Sequence, residues 1–199
     1  MKILIACEES QTATKAFRAF GHEAYSCDIK PCSGGHPEWH IQRDVLEQID
    51  KEWDMIIAHP PCTFISNAGA CRLYPKAGHL DVSRFNKGLE AKEFFMKLYN
   101  APCKKVVIEN PIPLSVYNLP PYSQIVQPYE YGHPYSKKTC LWIKGLPLLR
   151  PTKIITENII SWVSGGSKDC NGNPRKNKGT NLRSSLMRSK SCVSKHYRP

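Results

Sequence analysis

The chain has 199 residues, of which 41% are apolar and 10% aromatic, enough for one domain of ordinary size with a single core. This composition excludes a disordered chain, and no apolar run approaches the roughly 18 residues that a membrane span requires. The formal charge of +11 favours a polyanionic partner such as nucleic acid.

The first 28 residues predict a βαβ unit. Residues 2–6 are a short apolar run typical of a buried strand, and residues 23–28 alternate loosely and end at a carboxylate. Between them, apolar residues at helical spacing mark one face of a helix, namely Ala13, Ala16, Phe17 and Phe20. Strands joined by a helix in this way are parallel, which is how a nucleotide-binding sheet begins.

The middle of the chain repeats this alternation. Residues 30–43 are rich in Pro, Gly and His and are predicted to form a loop. Residues 53–58 supply another short buried strand. An amphipathic helix over 83–100 and a strand over 105–109 follow.

The last regular elements predict the end of the sheet. Apolar runs at 125–127 and 139–143 are separated by a turn and predict an antiparallel hairpin. The predicted fold class is therefore α/β, with a mostly parallel, Rossmann-like sheet and a terminal antiparallel hairpin.

Residues 151–199 contain 10 Lys and Arg against 2 Asp and Glu. We expect one globular domain over 1–150 and a basic, irregular C-terminal arm over 151–199.

Reactive side chains follow the predicted strands at their carboxyl ends. Cys7 and Glu8 follow the first strand, Asp28 ends the second, Cys62 follows the third, and Glu109 ends the fourth. In open parallel sheets, ligands bind outside the carboxyl ends of strands, where the direction of the connections switches. We therefore expect these groups to converge on one site.

Cys62 has the setting of a positioned nucleophile. It follows Pro60 and Pro61, whose rings restrict the backbone and hold the thiol in one direction. The ordinary pKa of cysteine, about 8.5, leaves a few per cent thiolate at neutral pH, and nearby cations would raise that fraction. Glu109 ends an apolar strand, where partial desolvation favours the protonated form of a general acid.

These residues resemble the motifs of the cytosine-5 DNA methyltransferases. Pro61-Cys62 and Glu109-Asn110 resemble the family's Pro-Cys and Glu-Asn-Val motifs in order and spacing. Further matches are Asp28, Asp44, Ser66 and the run 131–137, which is similar to the family's Gly-x-Pro-Gln-x-Arg-x-Arg segment. The resemblance covers roughly residues 2–145 and looks closest to a short, phage-like branch without a recognisable target-recognition domain.

The resemblance implies transfer of a methyl group from S-adenosylmethionine to C5 of a cytosine that is flipped out of DNA. Cys62 would add covalently to C6 while Glu109 holds N3. Asn110 would order the Glu109 loop, and Ser66 and Lys137 would contact the nucleic acid. The residues implied in cofactor binding are Ala6, Cys7, Asp28, Ile29, Asp44, Val45 and Pro61, with Asp28 at the ribose and Asp44 at the adenine amine.

Three alternatives stay open. The turn over 6–10 lacks the glycines of the family's first motif, which also fits a catalytically degenerate relative that binds nucleic acid or a partner. The run 59–62 is also similar to the Asp/Asn-Pro-Pro-aromatic loop of amino-methyltransferases, with His59 as the acceptor of an adenine or cytosine amine. Methylation of RNA cytosine uses the same residues, so the sequence does not separate RNA from DNA.

The cysteines and the N-terminus favour a cytoplasmic protein, in a bacterium or a phage-infected host. Nine cysteines occur without a repeated spacing, and this odd number favours reduced thiols. The apolar run at 3–6 is too short for a signal-peptide core. The spacing of Cys27, Cys32, His36 and His40 is too tight for a usual zinc finger, so we predict no metal site. No membrane association is expected.

Overall fold

The computed structural model describes residues 1–161. Seven strands form the main sheet: β1 (Lys2–Ala6), β2 (Glu23–Asp28), β3 (His40–Gln42), β4 (Met55–Ala58), β5 (Val106–Pro111), β6 (Gln124–Val126) and β8 (Thr139–Lys144). The short strands β7 (Tyr135–Ser136) and β9 (Ile160–Ser161) pair separately and in parallel. The helices are α1 (Thr12–Ala19), α2 (Ala70–Leu73) and α3 (Val82–Tyr99).

The strand order of the main sheet is β3-β2-β1-β4-β5-β8-β6. β1 to β5 are parallel to one another, whereas β8 lies between β5 and β6 and is antiparallel to both. The predicted fold class, an α/β protein with a mostly parallel, Rossmann-like sheet and a terminal antiparallel pair, is confirmed.

Helices cover both faces of the sheet because its central strands contain continuous apolar runs. Ile56 of β4 points to the face on which Phe95 of α3 is buried. The neighbouring residue Ile57 points to the other face, where Phe17 of α1 is buried. Successive side chains of a strand alternate between faces, so continuous apolar runs such as 3–6 and 55–58 require a packed layer on each side.

The prediction of an uninterrupted loop over residues 30–43 is wrong for its last part. Strand β3 extends the sheet by three residues, and a short 3₁₀ turn over Pro37–Trp39 precedes it. The His40 ring binds the Ser26 hydroxyl at 2.8 Å and the Lys30 carbonyl at 2.8 Å, which fixes β3 beside β2. A three-residue strand is too short to show an alternating pattern.

Residues 152–161 lie against the segment before β7. The backbone N–H groups of Thr152 and Lys153 both donate to the Glu130 carbonyl at 3.1 Å. Most of the predicted basic arm, residues 162–199, falls outside the described residues, so the division at residue 150 stays a prediction.

None of the helices in the described part of the chain is long and apolar enough to cross a membrane.

A buried contact between α3 and the segment after β5 requires glycine at position 88. A Cβ atom on Gly88 would lie 2.0 Å from the hydroxyl oxygen of Tyr117, a buried ring that stacks on Phe85. Elsewhere in a helix, replacing glycine by alanine stabilises by up to about 1 kcal/mol. Here we expect Gly88→Ala to lower the free energy of unfolding by about 1–3 kcal/mol, because the core becomes overpacked.

Urea unfolding followed by circular dichroism measures this effect. As a control, Gly88→Ala should cost less in a Tyr117→Leu background, because the overlapping ring is then gone. A Gly88→Ala variant more stable than the wild type would contradict the contact.

Candidate active site

The carboxyl end of β1 is the point at which the strand order of the sheet reverses. β1 pairs with β2 on one side and with β4 on the other. In open α/β sheets, ligands bind in the crevice outside such a switch point. A cavity of about 630 Å³ lies there, which is a typical size for a small-molecule site.

Six of the seven residues predicted to bind a cofactor line this cavity: Cys7, Asp28, Ile29, Asp44, Val45 and Pro61. The seventh, Ala6, is fully buried in the core. Its carbonyl accepts a hydrogen bond from the His59 N–H at 3.0 Å, so Ala6 supports the cavity from within the sheet. The strand ends therefore converge as the sequence predicts.

One wall of the cavity was not predicted. It is formed by Phe64 and by Lys87, Glu90, Ala91 and Phe94 of α3. Spacings of three and four put these α3 residues on one face of the helix. The sequence pattern showed an amphipathic helix there, but it did not show which part of the helix lies beside the switch point.

The turn from β1 to α1 adopts a backbone that normally favours glycine. Cys7 and Gln11 have φ angles of 59° and 54°. Left-handed backbone costs a non-glycine residue roughly 1–2 kcal/mol. The Gln11 side chain offsets part of this cost, because its Nε2 donates to the His36 carbonyl at 2.6 Å and its Oε1 accepts from the His36 N–H at 3.0 Å. The turn thus forms without the glycines of the similar family.

The expectation that Glu8 joins the reactive strand-end groups is wrong. Its carboxylate is fully buried and binds the first turn of α1. It accepts hydrogen bonds from the backbone N–H groups of Ala13 at 2.8 Å and Thr14 at 3.2 Å, and from the Thr14 hydroxyl at 2.8 Å. A carboxylate is stable at this position because helix N-termini attract negative charge.

Two carboxylates stand in the cavity wall. Oδ1 of Asp28 accepts from the Lys30 N–H at 3.0 Å, and Oδ1 of Asp44 accepts from the Leu46 N–H at 2.9 Å. These bonds set the orientation of both side chains. Ile29 is 71% exposed and adds apolar surface beside them. The wall can therefore accept hydroxyl or amine donors and contact an apolar ring.

The loop that contains Cys62 is bound to the strand that contains Glu109. The side-chain amide of Asn110, 1% exposed, donates to the Pro60 carbonyl at 3.1 Å. The Ser66 N–H donates to the Cys62 carbonyl at 3.0 Å, which closes the loop on itself. Because β4 and β5 are parallel neighbours, these bonds hold Cys62 and Glu109 at the same end of the sheet.

Cys62 is half-buried and interacts electrostatically with Glu109 and Lys137. Burial, and then the negative charge of Glu109, raise the pKa of the Cys62 thiol, whereas Lys137 opposes this change. The expected rise in thiolate fraction is therefore wrong in direction, because desolvation and Glu109 outweigh the single cation. The resting thiol is more fully protonated at neutral pH than a free cysteine.

We expect the rate of Cys62 alkylation by iodoacetamide to rise with pH to a midpoint above the ordinary thiol pKa of about 8.5. Glu109→Gln should lower the midpoint, and Lys137→Met should raise it, because these variants remove charges of opposite sign. Mass spectrometry of the Cys62 peptide gives the rates. Glu93→Gln, on the exposed side of α3, serves as the control and should leave the midpoint in place. A wild-type midpoint below that of free cysteine would refute the interpretation.

Glu109 is buried against His59, a contact that was not predicted. Oε2 of Glu109 lies 3.2 Å from Nδ1 of His59, and the two residues are 8% and 9% exposed. On β8, Cys140 interacts with the same carboxylate, and burial followed by the charge of Glu109 raises the pKa of Cys140 to about 11. The His59 contact depends on the register of β4 against β5, for which the sequence has no local signal.

The three predicted substrate-binding residues have different settings. Ser66 and Asn110 are buried, and the side-chain amide of Asn110 donates its hydrogen bond to the Pro60 carbonyl. Lys137 is half-buried and lies close enough to Cys62 to affect its thiol. Its backbone N–H donates to Oε1 of Gln127 at 2.9 Å, which fixes the segment before β8. Of the three residues, Lys137 is therefore the one whose charge lowers the pKa of the Cys62 thiol.

The fold and the cavity define an α/β protein with a ligand crevice at the switch point of a Rossmann-like sheet. No family model and no curated protein matches the chain. Among the solved structures that share similarity with it are a prophage protein and two DNMT2 proteins. A protein from an E. coli prophage, named as a DNA modification methyltransferase, has 14% identity and a TM-score of 0.42, over 71% of this chain and 45% of that one.

The other two structures are DNMT2 proteins. A mutant of Spodoptera frugiperda DNMT2 has 17% identity and a TM-score of 0.38, over 86% of this chain and 56% of that one. The Dnmt2 methyltransferase of S. pombe has 13% identity and a TM-score of 0.40, over 74% and 50%. The chain spans about half the length of the solved proteins that it matches.

Proposed function

We propose that the protein is an S-adenosylmethionine-dependent methyltransferase that acts on C5 of cytosine in DNA, in the cytoplasm. One observation carries the proposal. Cys62, Glu109 and Lys137 interact at the carboxyl ends of two neighbouring strands, beside a cavity at the switch point of the sheet. A nucleophile, an acid and a cation next to a small-molecule crevice are the groups that this reaction needs.

The cavity suits S-adenosylmethionine in size and chemistry. Its volume of about 630 Å³ accommodates a nucleoside with an amino-acid chain. Asp28 and Asp44 offer acceptors for ribose hydroxyls and the adenine amine, and Phe64 and Phe94 offer apolar surface for the adenine ring. When bound, S-adenosylmethionine supplies the activated methyl group that C5 accepts.

The side chains of this protein activate the cytosine. Cys62 loses its proton to water, which its half-exposed position allows, and Sγ forms a bond to C6. The electron pair of the C5=C6 bond then shifts towards C5, and Glu109 donates a hydrogen bond to N3 that stabilises the added charge. After methylation, the C5 proton leaves to a base and the Sγ–C6 bond breaks. The cysteine is thereby regenerated.

A binding module without methyl transfer is a second candidate. The raised pKa of the Cys62 thiol favours it, because attack on C6 requires a thiolate. The amino-methyltransferase alternative has less support, because the imidazole that would accept the amine is buried against Glu109.

Mass spectrometry of DNA and RNA from cells expressing the protein decides among these activities. The proposal requires 5-methylcytosine in DNA, and its absence there would refute the proposal.

Filling the cavity should prevent cofactor binding. We expect Ala91→Trp to weaken the binding of S-adenosylhomocysteine at least about tenfold, because the indole would occupy the space between α3 and Pro61. Isothermal titration calorimetry measures the affinity. Lys97→Trp, on the exposed side of the same helix, is the matched control and should bind as the wild type does. Equal affinity of the wild type, Ala91→Trp and Lys97→Trp for S-adenosylhomocysteine would show that the cavity does not bind the cofactor.

A further inference from the structure

The contact between His59 and Glu109 follows from the register of two parallel strands. Ala58, the last residue of β4, pairs with Ile108 of β5. His59 follows Ala58 directly, and Glu109 is the next residue of β5. Both side chains are buried, and Nδ1 of His59 lies 3.2 Å from Oε2 of Glu109. An ionisable pair at this depth is stable only if its members share a hydrogen bond in good geometry.

The direction of this hydrogen bond matters for the chemistry of Glu109. If Nδ1 accepts, the acid proton of Glu109 must lie on Oε2 and point at the imidazole. If Nδ1–H donates, Oε2 is the acceptor, and a proton on the carboxyl group must lie on Oε1. The tautomer of His59 therefore decides which carboxyl oxygen is able to hold the acid proton.

An Nδ1–H donor is compatible with both charge states of Glu109. An ionised carboxylate only accepts hydrogen bonds, so its partner atom must be a donor. A neutral carboxylic acid still has a carbonyl oxygen that accepts. An acceptor at Nδ1 fits the neutral acid alone. The other ionisable groups that act near this pair are Cys62 and Lys137 from the loops and Cys140 from β8.

We propose that His59 is a positioning residue that donates its Nδ1–H to Oε2 of Glu109 and so leaves the acid proton of Glu109 on Oε1. This inference rests on the proposed function, in which Glu109 donates a hydrogen bond to N3 of the base. His59 itself does not touch the base in this scheme. It acts through Glu109, by fixing the rotation of the carboxyl group and the oxygen that holds the proton.

The tautomer is measured directly by ¹⁵N NMR of the full chain with ¹⁵N-labelled histidine, assigned by comparison with His59→Asn. The inference requires a protonated Nδ1 in His59 at neutral pH. A neutral ring protonated at Nε2 alone would overturn it. This measurement needs no methyl transfer, so it decides the hydrogen bond even if the proposed function fails in the activity assay.

Kinetics test the role in catalysis. We expect His59→Leu to lower kcat about tenfold to a hundredfold with KM changed less than about threefold, because the acid is misplaced while substrate contacts remain. His59→Asn keeps a donor near the Nδ1 position and should recover most of the lost kcat. A merely structural histidine would not need a donor, so equal kcat in the Leu and Asn variants would overturn the inference.

His22→Leu is the matched control for the loss of a buried histidine. His22 is 7% exposed, lies outside the site, and packs against Phe17 with 6.0 Å between ring centroids. This variant should keep the wild-type kcat even if its thermal stability changes. A loss of kcat in His22→Leu as large as that in His59→Leu would count against a specific role for His59.

Discussion

Replacing Cys62 by serine should abolish methyl transfer, with a loss of at least about 10³-fold in kcat. A serine hydroxyl remains protonated at pH values where a thiol ionises, and oxygen is a poorer nucleophile towards C6 than sulfur. The substitution keeps the backbone of the loop in place, because the Cys62 carbonyl would still accept from the Ser66 N–H. Incorporation of labelled methyl groups into DNA, with mass spectrometry of 5-methylcytosine, measures the loss.

Cys32→Ser provides the matched control, because Cys32 is also half-buried but lies in the segment between β2 and β3, not in the loop after β4. It should transfer methyl groups as the wild type does. A covalent complex between the wild-type protein and DNA containing 5-fluorocytosine, absent in Cys62→Ser, would identify the bond to sulfur. Methylation by Cys62→Ser at the wild-type rate would refute the assignment of the nucleophile.

Replacing Glu109 by glutamine should lower kcat by about 10²–10³-fold and leave the affinity for S-adenosylhomocysteine unchanged. The amide has nearly the same shape as the carboxyl group, but it has no acid proton with which to stabilise charge at N3. Glu109 does not line the cavity, so cofactor affinity should not depend on its charge. Single-turnover methyl transfer and calorimetry measure the two quantities separately.

Glu93→Gln is the control for the loss of a carboxylate, because Glu93 is exposed on α3 and pairs with Lys97 at the surface. Its kcat should equal that of the wild type. A Glu109→Gln variant with unchanged turnover would remove Glu109 from the reaction. A variant that loses cofactor affinity together with turnover would indicate damage to the sheet, which thermal unfolding would reveal.

The elements that the sequence predicted are those whose burial leaves a local pattern. The runs at 3–6 and 55–58 are apolar at every position because layers pack on both faces, and α3 has an amphipathic pattern over five turns. β3 was missed, because three residues at a sheet edge are stabilised mainly by pairing with β2. The position of β8 between β5 and β6 also required the structure, since a hairpin pattern does not tell which strand lies inside.

The candidate site was predicted to a different degree in its two parts. Strand-end residues were found because the switch-point rule turns chain order into spatial convergence. The α3 wall, the His59 contact and the capping role of Glu8 were not found. The α3 wall and the His59 contact depend on how elements distant in the chain pack together, and the role of Glu8 depends on the backbone conformation of the turn before α1. No local spacing encodes these arrangements.

Chain order and composition were sufficient to predict the parallel strands β1, β2, β4 and β5, the helices α1 and α3, and the sheet edge at which reactive groups meet. Alternation and helical spacing are short-range consequences of burial. The pKa of the Cys62 thiol and the partner of the Glu109 carboxyl group depend on the tertiary structure. Burial and the charge of Glu109 raise the pKa of the Cys62 thiol, and Glu109 itself contacts an imidazole fifty residues away in the chain. Electrostatic interactions depend on distances through space and on local burial, and these exist only once the strands are side by side.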